Sequence, residues 1–263
     1  MFISRVLYLL VGTALSVTSL PTANYATVCS TEAWWIVHGL PKATVLSMLP
    51  PNCTLAPHGL SLPPNQHPVF LQFNHQGGCH ENPIPVPAPD MLEFIVDIPF
   101  VIHPSQGGPL SIKSTVFVNQ QLNAIGARAV YGLPATKQKM ARTAWNASSG
   151  NSTYSVSHGG GIDAVFSPQG GWTHSNAVFK DTFQRINAEP WLCRPLLSAH
   201  EQCAFNYFDW SAAALQVRPV VASITVREGA IQGFPAVHWN NTSMLAFQLS
   251  TKLYITGAQS CPN

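Results

Sequence analysis

Alternation of hydrophobic and polar residues is the main pattern in this chain, and it predicts strands more often than helices. It is clearest at 215–226 and 244–256, where apolar residues fall at nearly every second position. Segments typical of buried or half-buried strands follow the same logic at 33–38, 69–73, 92–101 and 110–118, and short strands or bends are predicted at 155–166 and 172–178. Most of the chain is therefore expected to lie in β-sheet.

Helical spacing is found in two short segments, 41–49 and 179–186. Pro41 suits the first turn of a helix, and Pro50-Pro51 would end it. Residues 77–89 are so rich in Gly and Pro that they predict an exposed loop. No repeat or linker divides the chain. We therefore predict a β-rich α+β fold with a few short helices, in which one mostly antiparallel sheet forms a sandwich or barrel.

The first 26 residues differ from the rest of the chain in combining a basic residue, an apolar stretch and small residues at their end. Arg5 precedes an apolar stretch at 6–17, and small residues around Ala23 and Ala26 offer cleavage sites. This arrangement predicts a secretory signal peptide at 1–26, followed by a single domain at 27–263. The apolar stretch is shorter than the roughly 20 residues that cross a bilayer, so a membrane anchor is not expected.

Composition supports export. Charged residues make up only 9% of the chain, against roughly 25% in an average soluble domain. N-x-[ST] acceptors for N-glycans, which would hydrate such a surface, occur at Asn52, Asn146, Asn151 and Asn241. The net charge of +2 is too small to indicate a nucleic-acid or anionic membrane partner. We expect a secreted, extracellular glycoprotein.

The six cysteines form an even set, as expected of a secreted protein with three disulfides. Fifteen pairings are possible for six cysteines. Cys193 with Cys203 is the one local pair that the spacing suggests, because it would close a short loop. A zinc site is the alternative, but there is no C-x-x-C or close Cys/His spacing to support it.

Several motifs occur in an order that resembles the acetoacetate decarboxylase superfamily. A first strand and short helix end in VLSMLPP at 45–51, and a later strand carries Glu93 within DMLEFIV at 90–96. In the family, a β segment then leads into a Gly-aromatic-Pro-Lys-Lys turn, and RAVYGLP at 128–134 matches the approach to it. WLCRP at 191–195 matches an Arg-Pro segment. The resemblance spans about 33–256 and implies the fold of that family.

The resemblance also implies a chemistry. A neutral lysine, its pKa lowered by an apolar pocket or a nearby cation, attacks the ketone of a β-keto acid. The resulting iminium accepts the electrons that remain when CO2 leaves, so no cofactor is needed. A second lysine and a glutamate complete the family's site.

This chain departs from the motif at its centre. Ala135-Thr136 follow Pro134 where Lys-Lys is expected, and the nearest lysines are Lys137 and Lys139. An alignment with three inserted residues places Gln138 at the Schiff-base position, whereas an ungapped alignment leaves no lysine there. The two lysines are therefore candidates for the nucleophile and its electrostatic partner, and the alternative is that both are exposed on a turn.

The resemblance implies that Glu93, which matches the family's glutamate, is the candidate acid/base, and strict alternation places it on one face with Met91 and Ile95. Asp97 shares that face as a secondary candidate. The candidate substrate-binding residues are Arg142, which lies near the two lysines; Trp35 and His38, which stand where the family has a first-strand arginine; and Tyr131, in the approach to the turn.

Other chemistries lack motifs. The ten histidines form no metal-binding signature, and the absence of G-x-S-x-G argues against a serine hydrolase. Two functions remain. The first is a secreted lyase acting on a small keto acid or carbonyl compound through a lysine Schiff base. The second is a non-catalytic protein that binds a small ligand in the same fold. The family also contains multimers, so a homo-oligomer is expected.

Overall fold

The computed structural model describes residues 25–81, 89–143, 151–240 and 245–262. The helices and strands in these ranges follow one another in this order: β1 (Tyr25–Pro41), α1 (Lys42–Ser47), β2 (Thr54–Leu55), β3 (Gln66–Glu81), β4 (Met91–Ile102), β5 (Pro109–Val118), α2 (Gln121–Tyr131), β6 (Ala135–Lys137), β7 (Lys139–Arg142), β8 (Ser152–Ser157), β9 (Ile162–Pro168), α3 (Ala177–Ala188), β10 (Trp191–Cys193), β11 (Gln202–Ala204), β12 (Asn206–Phe208), β13 (Gln216–Val226), β14 (Val237–Asn240) and β15 (Leu245–Thr256).

All strands belong to one mixed sheet, whose main path runs β11-β10-β5-β4-β3-β1-β15-β13-β9-β8-β7. The four remaining short strands pair with members of this path. Neighbouring strands are antiparallel except where β10 and β6 run parallel to β5. The β-rich α+β fold with few short helices is thus confirmed. The described strands form an open, mostly antiparallel sheet that does not close into a barrel.

The central strands are buried on both faces, which explains their nearly continuous apolar sequences. Even-numbered positions of β1, such as Trp34 and Ile36, pack in one large cluster with Leu71 and Phe94. Odd-numbered positions face the other way, and Trp35 packs there among the aromatic rings of α3 and β12. Two different environments therefore lie on opposite sides of the same four strands, β1, β3, β4 and β5.

Residues 77–81 depart from the predicted loop, because β3 continues to Glu81. A bulge between Val28 and Ser30 of β1 keeps the two strands paired, and Gly78 takes a positive φ of 57° there. The disulfide between Cys29 and Cys79 fastens the same place. Local Gly content was outweighed by pairing with a long neighbouring strand. The rest of the predicted loop, 82–88, lies outside the described residues.

The approach to the family's turn is helical, not β. Helix α2 covers Gln121–Tyr131, and Gly132 ends it in the left-handed conformation with φ 64°. Gly at this position suits such a helix end because it carries no Cβ. Residues 172–178 also differ from a strand: Thr173 forms a single bridge with Val217, and α3 begins at Ala177 with Asn176 as its N-cap.

The suggested Cys193–Cys203 disulfide is wrong. Cys203 is bonded to Cys261, and Cys53 and Cys193 are buried free thiols. The register explains the error: Cys203 lies opposite Leu192 and Cys193 lies opposite Gln202, so the two sulfur atoms project from opposite faces of the ribbon. Two disulfides are present instead of three.

The predicted signal peptide lies outside the described residues except for Tyr25 and Ala26, which begin β1. Asn146 and Asn241 also lie outside them, whereas Asn52 and Asn151 are exposed. None of the helices described is long and apolar enough to span a membrane.

Candidate functional site

A cavity of about 340 Å³ lies between the odd-numbered face of β1 and helix α2. Strands β1, β3, β4 and β5 form its floor. Helix α2 covers one side, and β10, β12 and β15 close the other. Its lining residues are Thr27, Cys29, Thr31, Gln72, Asn74, Gln76, Cys79, Pro89, Met91, Glu93, Ile95, Lys113, Leu122, Asn123, Gly126, Ala127, Val130, Tyr131, Leu133, Trp191, Asn206, Phe208, Leu253 and Ile255.

The polar part of the floor follows from strand register. Gln72, Asn74 and Gln76 occupy alternate positions of β3 and therefore share one face. Asn74 lies opposite Glu93 of β4, and Gln76 lies opposite Thr31 of β1. The three amides thus form a polar row between the carboxyl of one neighbouring strand and the hydroxyl of the other.

Glu93 is the buried carboxyl of this row, only 9% exposed. Its Oε2 accepts hydrogen bonds from Gln76 Nε2 at 2.7 Å and from Asn74 Nδ2 at 3.2 Å. Burial raises the pKa of Glu93, while the bond from Asn74, the charge of Lys113 and the bond from Gln76 oppose that rise. A carboxyl with a raised pKa holds and releases its proton closer to neutral pH than an ordinary glutamate does.

Lys113 of β5 is the lysine that lines the cavity, and it is 6% exposed. Its Nζ lies 3.2 Å from Asp97 Oδ2 and 5.1 Å from the centre of the Trp191 ring. Asp97 also accepts hydrogen bonds from the hydroxyl of Ser111 and from Gln72 Nε2. The amine is therefore held in place by a carboxylate that is itself fixed by neighbouring groups.

A β-bulge turns Lys113 toward the cavity. Ile95 pairs with Val116 and Asp97 pairs with Lys113, so β5 has one more residue than β4 between the two pairs. Strict alternation from Val116 would direct Ser114 to this face. The extra residue reverses the alternation and directs Lys113 there instead.

Two aromatic residues form hydrogen bonds that fix the row in place. Trp35 Nε1 donates a hydrogen bond to Asn74 Oδ1 at 3.1 Å. This bond directs the Nδ2 group of Asn74 toward Glu93. On the opposite face of the sheet, the Tyr154 hydroxyl lies 3.1 Å from the main-chain oxygens of both Asn74 and Glu93. The Tyr154 hydroxyl thereby links β3 and β4 at Asn74 and Glu93, the hydrogen-bonded pair of the cavity floor.

The candidate residues from the sequence fall into two groups. Glu93 and Tyr131 line the cavity, and Trp35 supports its floor. Lys137 and Lys139 are exposed and do not line it.

His38 and Arg142 also lie away from the cavity. His38 packs on Trp239 with ring centres 4.3 Å apart. Arg142 Nη2 lies 2.9 Å from Glu32 Oε2. His38 and Glu32 both occupy even-numbered positions of β1, which belong to the face turned away from the cavity.

The residues after Pro134 are those on which the resemblance places the family's lysines. Ala135 follows Pro134 directly, is fully buried, and packs in one cluster with Ile95, Val116 and Val118. β6 runs parallel to β5 with Ala135 opposite Val116. In the ungapped alignment the resemblance expects an amine here, where Ala135 has only a methyl group. Val116, the partner of Ala135, pairs in turn with Ile95 in the floor of the cavity.

Sequence reasoning missed Lys113 and the amide row. A signal existed, because 110–118 and 69–76 both place polar side chains in strands whose neighbours are strongly apolar. Polar residues in such strands are costly unless they are paired. Among the described residues, no group of three or more His, Cys, Asp or Glu side chains is placed to hold a metal ion.

Comparison with solved structures agrees with the arrangement of strands. The enduracididine biosynthesis enzyme MppR, in complex with the condensation product of pyruvate and imidazole 4-carboxaldehyde, is 12% identical with a TM-score of 0.61, over 90% of this chain and 89% of that one. Acetoacetate decarboxylase from Legionella pneumophila is 12% identical with a TM-score of 0.57, over 96% of this chain and 98% of that one.

An acetoacetate decarboxylase-like enzyme from Sphingomonas wittichii is 9% identical with a TM-score of 0.57, over 90% of this chain and 93% of that one. No protein-family model matches the sequence, and no curated protein matches it significantly. The chain therefore has the acetoacetate decarboxylase-like fold, as the order of its motifs predicts. At this level of identity the likeness establishes the fold alone.

Proposed function

We propose that this protein is an acetoacetate decarboxylase-like lyase that acts on a keto acid or related carbonyl compound through an iminium on Lys113. The observation that carries the proposal is that one buried amine and one buried carboxyl, Lys113 and Glu93, line the same cavity. Lys113 takes the role for which Lys137 and Lys139 were candidates, because both of those lysines are exposed.

The substrate class is supported by what proteins of the same fold bind. MppR has been solved in complex with pyruvate and with a condensation product of pyruvate. Pyruvate is a carbonyl compound that carries a carboxylate. A carbonyl carbon beside Lys113, with the carboxylate facing the amides of the floor, would use the polar groups that this cavity presents.

The steps balance without a cofactor. Lys113 passes a proton to Asp97, which is in direct contact with it, and the neutral amine attacks the carbonyl carbon. Loss of water gives the iminium. For a 3-oxo acid, the bond between the carboxylate and the carbon next to the iminium carbon then breaks, its electron pair forms the enamine as the iminium nitrogen is neutralised, and CO2 leaves. Glu93 protonates the resulting enamine carbon, and water releases the product and restores the amine.

A non-catalytic binding protein is the second candidate, and one observation favours it. Lys113 Nζ lies 3.2 Å from Asp97 Oδ2, and this ion pair already engages the amine that the lyase would use as its nucleophile. In that case Lys113 would bind the carboxylate or carbonyl oxygen of a ligand and would form no covalent bond to it.

Borohydride trapping separates the two candidates. The protein is incubated with a panel of 2-oxo and 3-oxo acids, reduced, digested, and examined by peptide mass spectrometry. We expect a reduced adduct on Lys113, its loss in Lys113→Arg, and its retention in the control Lys252→Arg, which changes an exposed lysine of β15.

Two results would change the conclusion. An adduct on Lys137 or Lys139 would return the nucleophile to the turn. Folded protein that binds keto acids but yields no adduct would establish the binding candidate in place of the enzyme.

We also propose that the protein is exported and N-glycosylated. Two disulfides are compatible with an extracellular protein. Two sequon asparagines within the described residues, Asn52 and Asn151, are both exposed.

A further inference from the structure

The cavity has a strongly uneven distribution of polarity. Polar groups are concentrated at the floor, around Glu93 and Lys113. The rest of the wall, on the α2, β12 and β15 sides, is mainly apolar, with Leu133, Phe208, Leu253 and Ile255, although Asn123 and Asn206 also line it. A ligand that is polar throughout would leave much of its hydration unreplaced against this wall.

Its size also exceeds what a three- or four-carbon keto acid requires. At about 340 Å³ it falls within the range of roughly 300–1,000 Å³ found for pockets that enclose drug-sized ligands. A short keto acid bound at the floor would leave most of the apolar wall without a contact.

The apolar wall continues outward along α2. Leu122 and Val130 line the cavity, yet they are 71% and 46% exposed. Exposed leucine and valine at the mouth of a cavity offer a hydrophobic path from the floor to the surface. A substrate that ends at the floor would make no contact with this path.

The floor retains unused hydrogen-bonding capacity for a polar head group. The Thr31 hydroxyl is 1% exposed, lines the cavity, and has no hydrogen-bond partner among the described residues. A buried hydroxyl without a partner is costly, and a ligand oxygen beside Gln76 and Thr31 would satisfy it.

From these observations we propose that the natural ligand is an amphipathic carbonyl compound. Its oxo-acid head group lies at the polar floor that Lys113 and Glu93 line, and a hydrophobic tail, either an alkyl chain or an aryl group, follows the apolar wall to Leu122 and Val130. This deepens the proposed function by naming its substrate class. It predicts binding whether or not the iminium forms.

The test is a chain-length series measured by titration calorimetry. Straight-chain 2-oxo acids of about four to twelve carbons are compared, and affinity is expected to rise about fourfold for each methylene buried until the tail fills the cavity. The matching carboxylic acids without the oxo group should follow the same slope with weaker absolute affinity.

Gly126 provides a position from which a larger side chain can narrow the cavity. It lines the cavity, and a Cβ added there would meet no atom within 4 Å. In Gly126→Phe we expect the longest acids to lose at least tenfold in affinity while the shortest acid is unchanged. Ile125→Phe is the matched control, because Ile125 is exposed on the same helix and does not line the cavity.

Affinity that does not depend on chain length, or a Gly126→Phe protein with the length dependence of the unmodified chain, would overturn this inference. The outcome is separable from that of the trapping experiment. A length dependence without any lysine adduct supports the amphipathic ligand and rejects the lyase. An adduct formed only with short acids, with no length dependence, rejects the amphipathic ligand alone.

Discussion

At the scale of single residues, the cavity depends on how Asn74 is oriented. Its side chain accepts from Trp35 Nε1 and donates to Glu93, so the indole determines which end of the amide faces the carboxyl. Trp35 is therefore a positioning residue: it is fully buried, does not line the cavity, and acts on Glu93 through Asn74.

Replacing Trp35 by Phe removes the indole N–H and leaves Asn74 Oδ1 buried without its partner. We expect the free energy of unfolding to fall by about 1–3 kcal/mol, beyond any loss of packing. Denaturant titration measures the change. In an Asn74→Ala background the same substitution should cost distinctly less, because the acceptor is absent. Equal costs in both backgrounds would show that the hydrogen bond contributes nothing.

At the scale of elements, the end of α3 is joined to the irregular end of β4. Glu189 follows the helix directly, and its Oε2 accepts the main-chain N–H of Phe100 at 2.8 Å. Phe100 has a positive φ of 58° within a bulged stretch of β4. This conformation is uncommon for a bulky residue and is held by its surroundings.

Burial, opposed by the hydrogen bond from the N–H of Phe100 and assisted by the charge of Asp97, raises the pKa of Glu189 to about 7. Because this folded-state pKa lies above the unfolded value, the folded state binds more protons between about pH 4.5 and 7. The contribution of Glu189 to stability is thus fully present below that window. It is lost as the pH rises through it.

Glu189→Gln keeps an acceptor for Phe100 but does not titrate. Relative to the unmodified chain, the variant should gain on the order of 1–2 kcal/mol as the pH rises from about 4.5 to 7, after allowance for partial solvent screening. Denaturant titrations at several pH values check this. His67 titrates in both proteins, so its contribution cancels when their free energies of unfolding are subtracted. Burial lowers the pKa of His67 to about 4, and its contribution to stability therefore changes with pH in the opposite direction. A constant difference across the window would contradict the assignment.

At the scale of the whole molecule, the two disulfides connect distant parts of one sheet. Cys29–Cys79 joins β1 to β3 beside the cavity, and Cys203–Cys261 joins β11 to the residues after β15. Each encloses a long segment, with separations of 50 and 58 residues. Bonds that close long loops restrict the unfolded chain most, and each typically contributes about 2–4 kcal/mol.

Protein collected from the medium of secreting cells should carry these two disulfides and two buried thiols. Alkylation after unfolding without reductant is expected to label Cys53 and Cys193 and no other cysteine. Endoglycosidase treatment should lower its mass and mark Asn52 and Asn151 among the released sites. Three disulfides would contradict the pairing, and protein retained in the cytosol without glycans would contradict export.

The alternation of residues was sufficient to predict most of the strands, and the order of short motifs was sufficient to predict the fold. The first depends on local geometry, because side chains alternate along a strand, and the second depends on the resemblance of short motifs to those of the family. The same reasoning placed Glu93 on one face with Met91 and Ile95, and all three line the cavity.

Tertiary structure decided which groups meet. Lys113 faces Glu93's cavity because a bulge in β5 reverses the alternation, and a bulge arises from pairing with β4 rather than from the sequence of β5 alone. Cys203 bonds to Cys261 because register separates it from its neighbour Cys193. His38 and Arg142 were expected to bind substrate, but both lie on the side of the sheet turned away from the cavity. For Lys113 the sequence predicted the strand, and pairing with β4 determined the direction in which the side chain points.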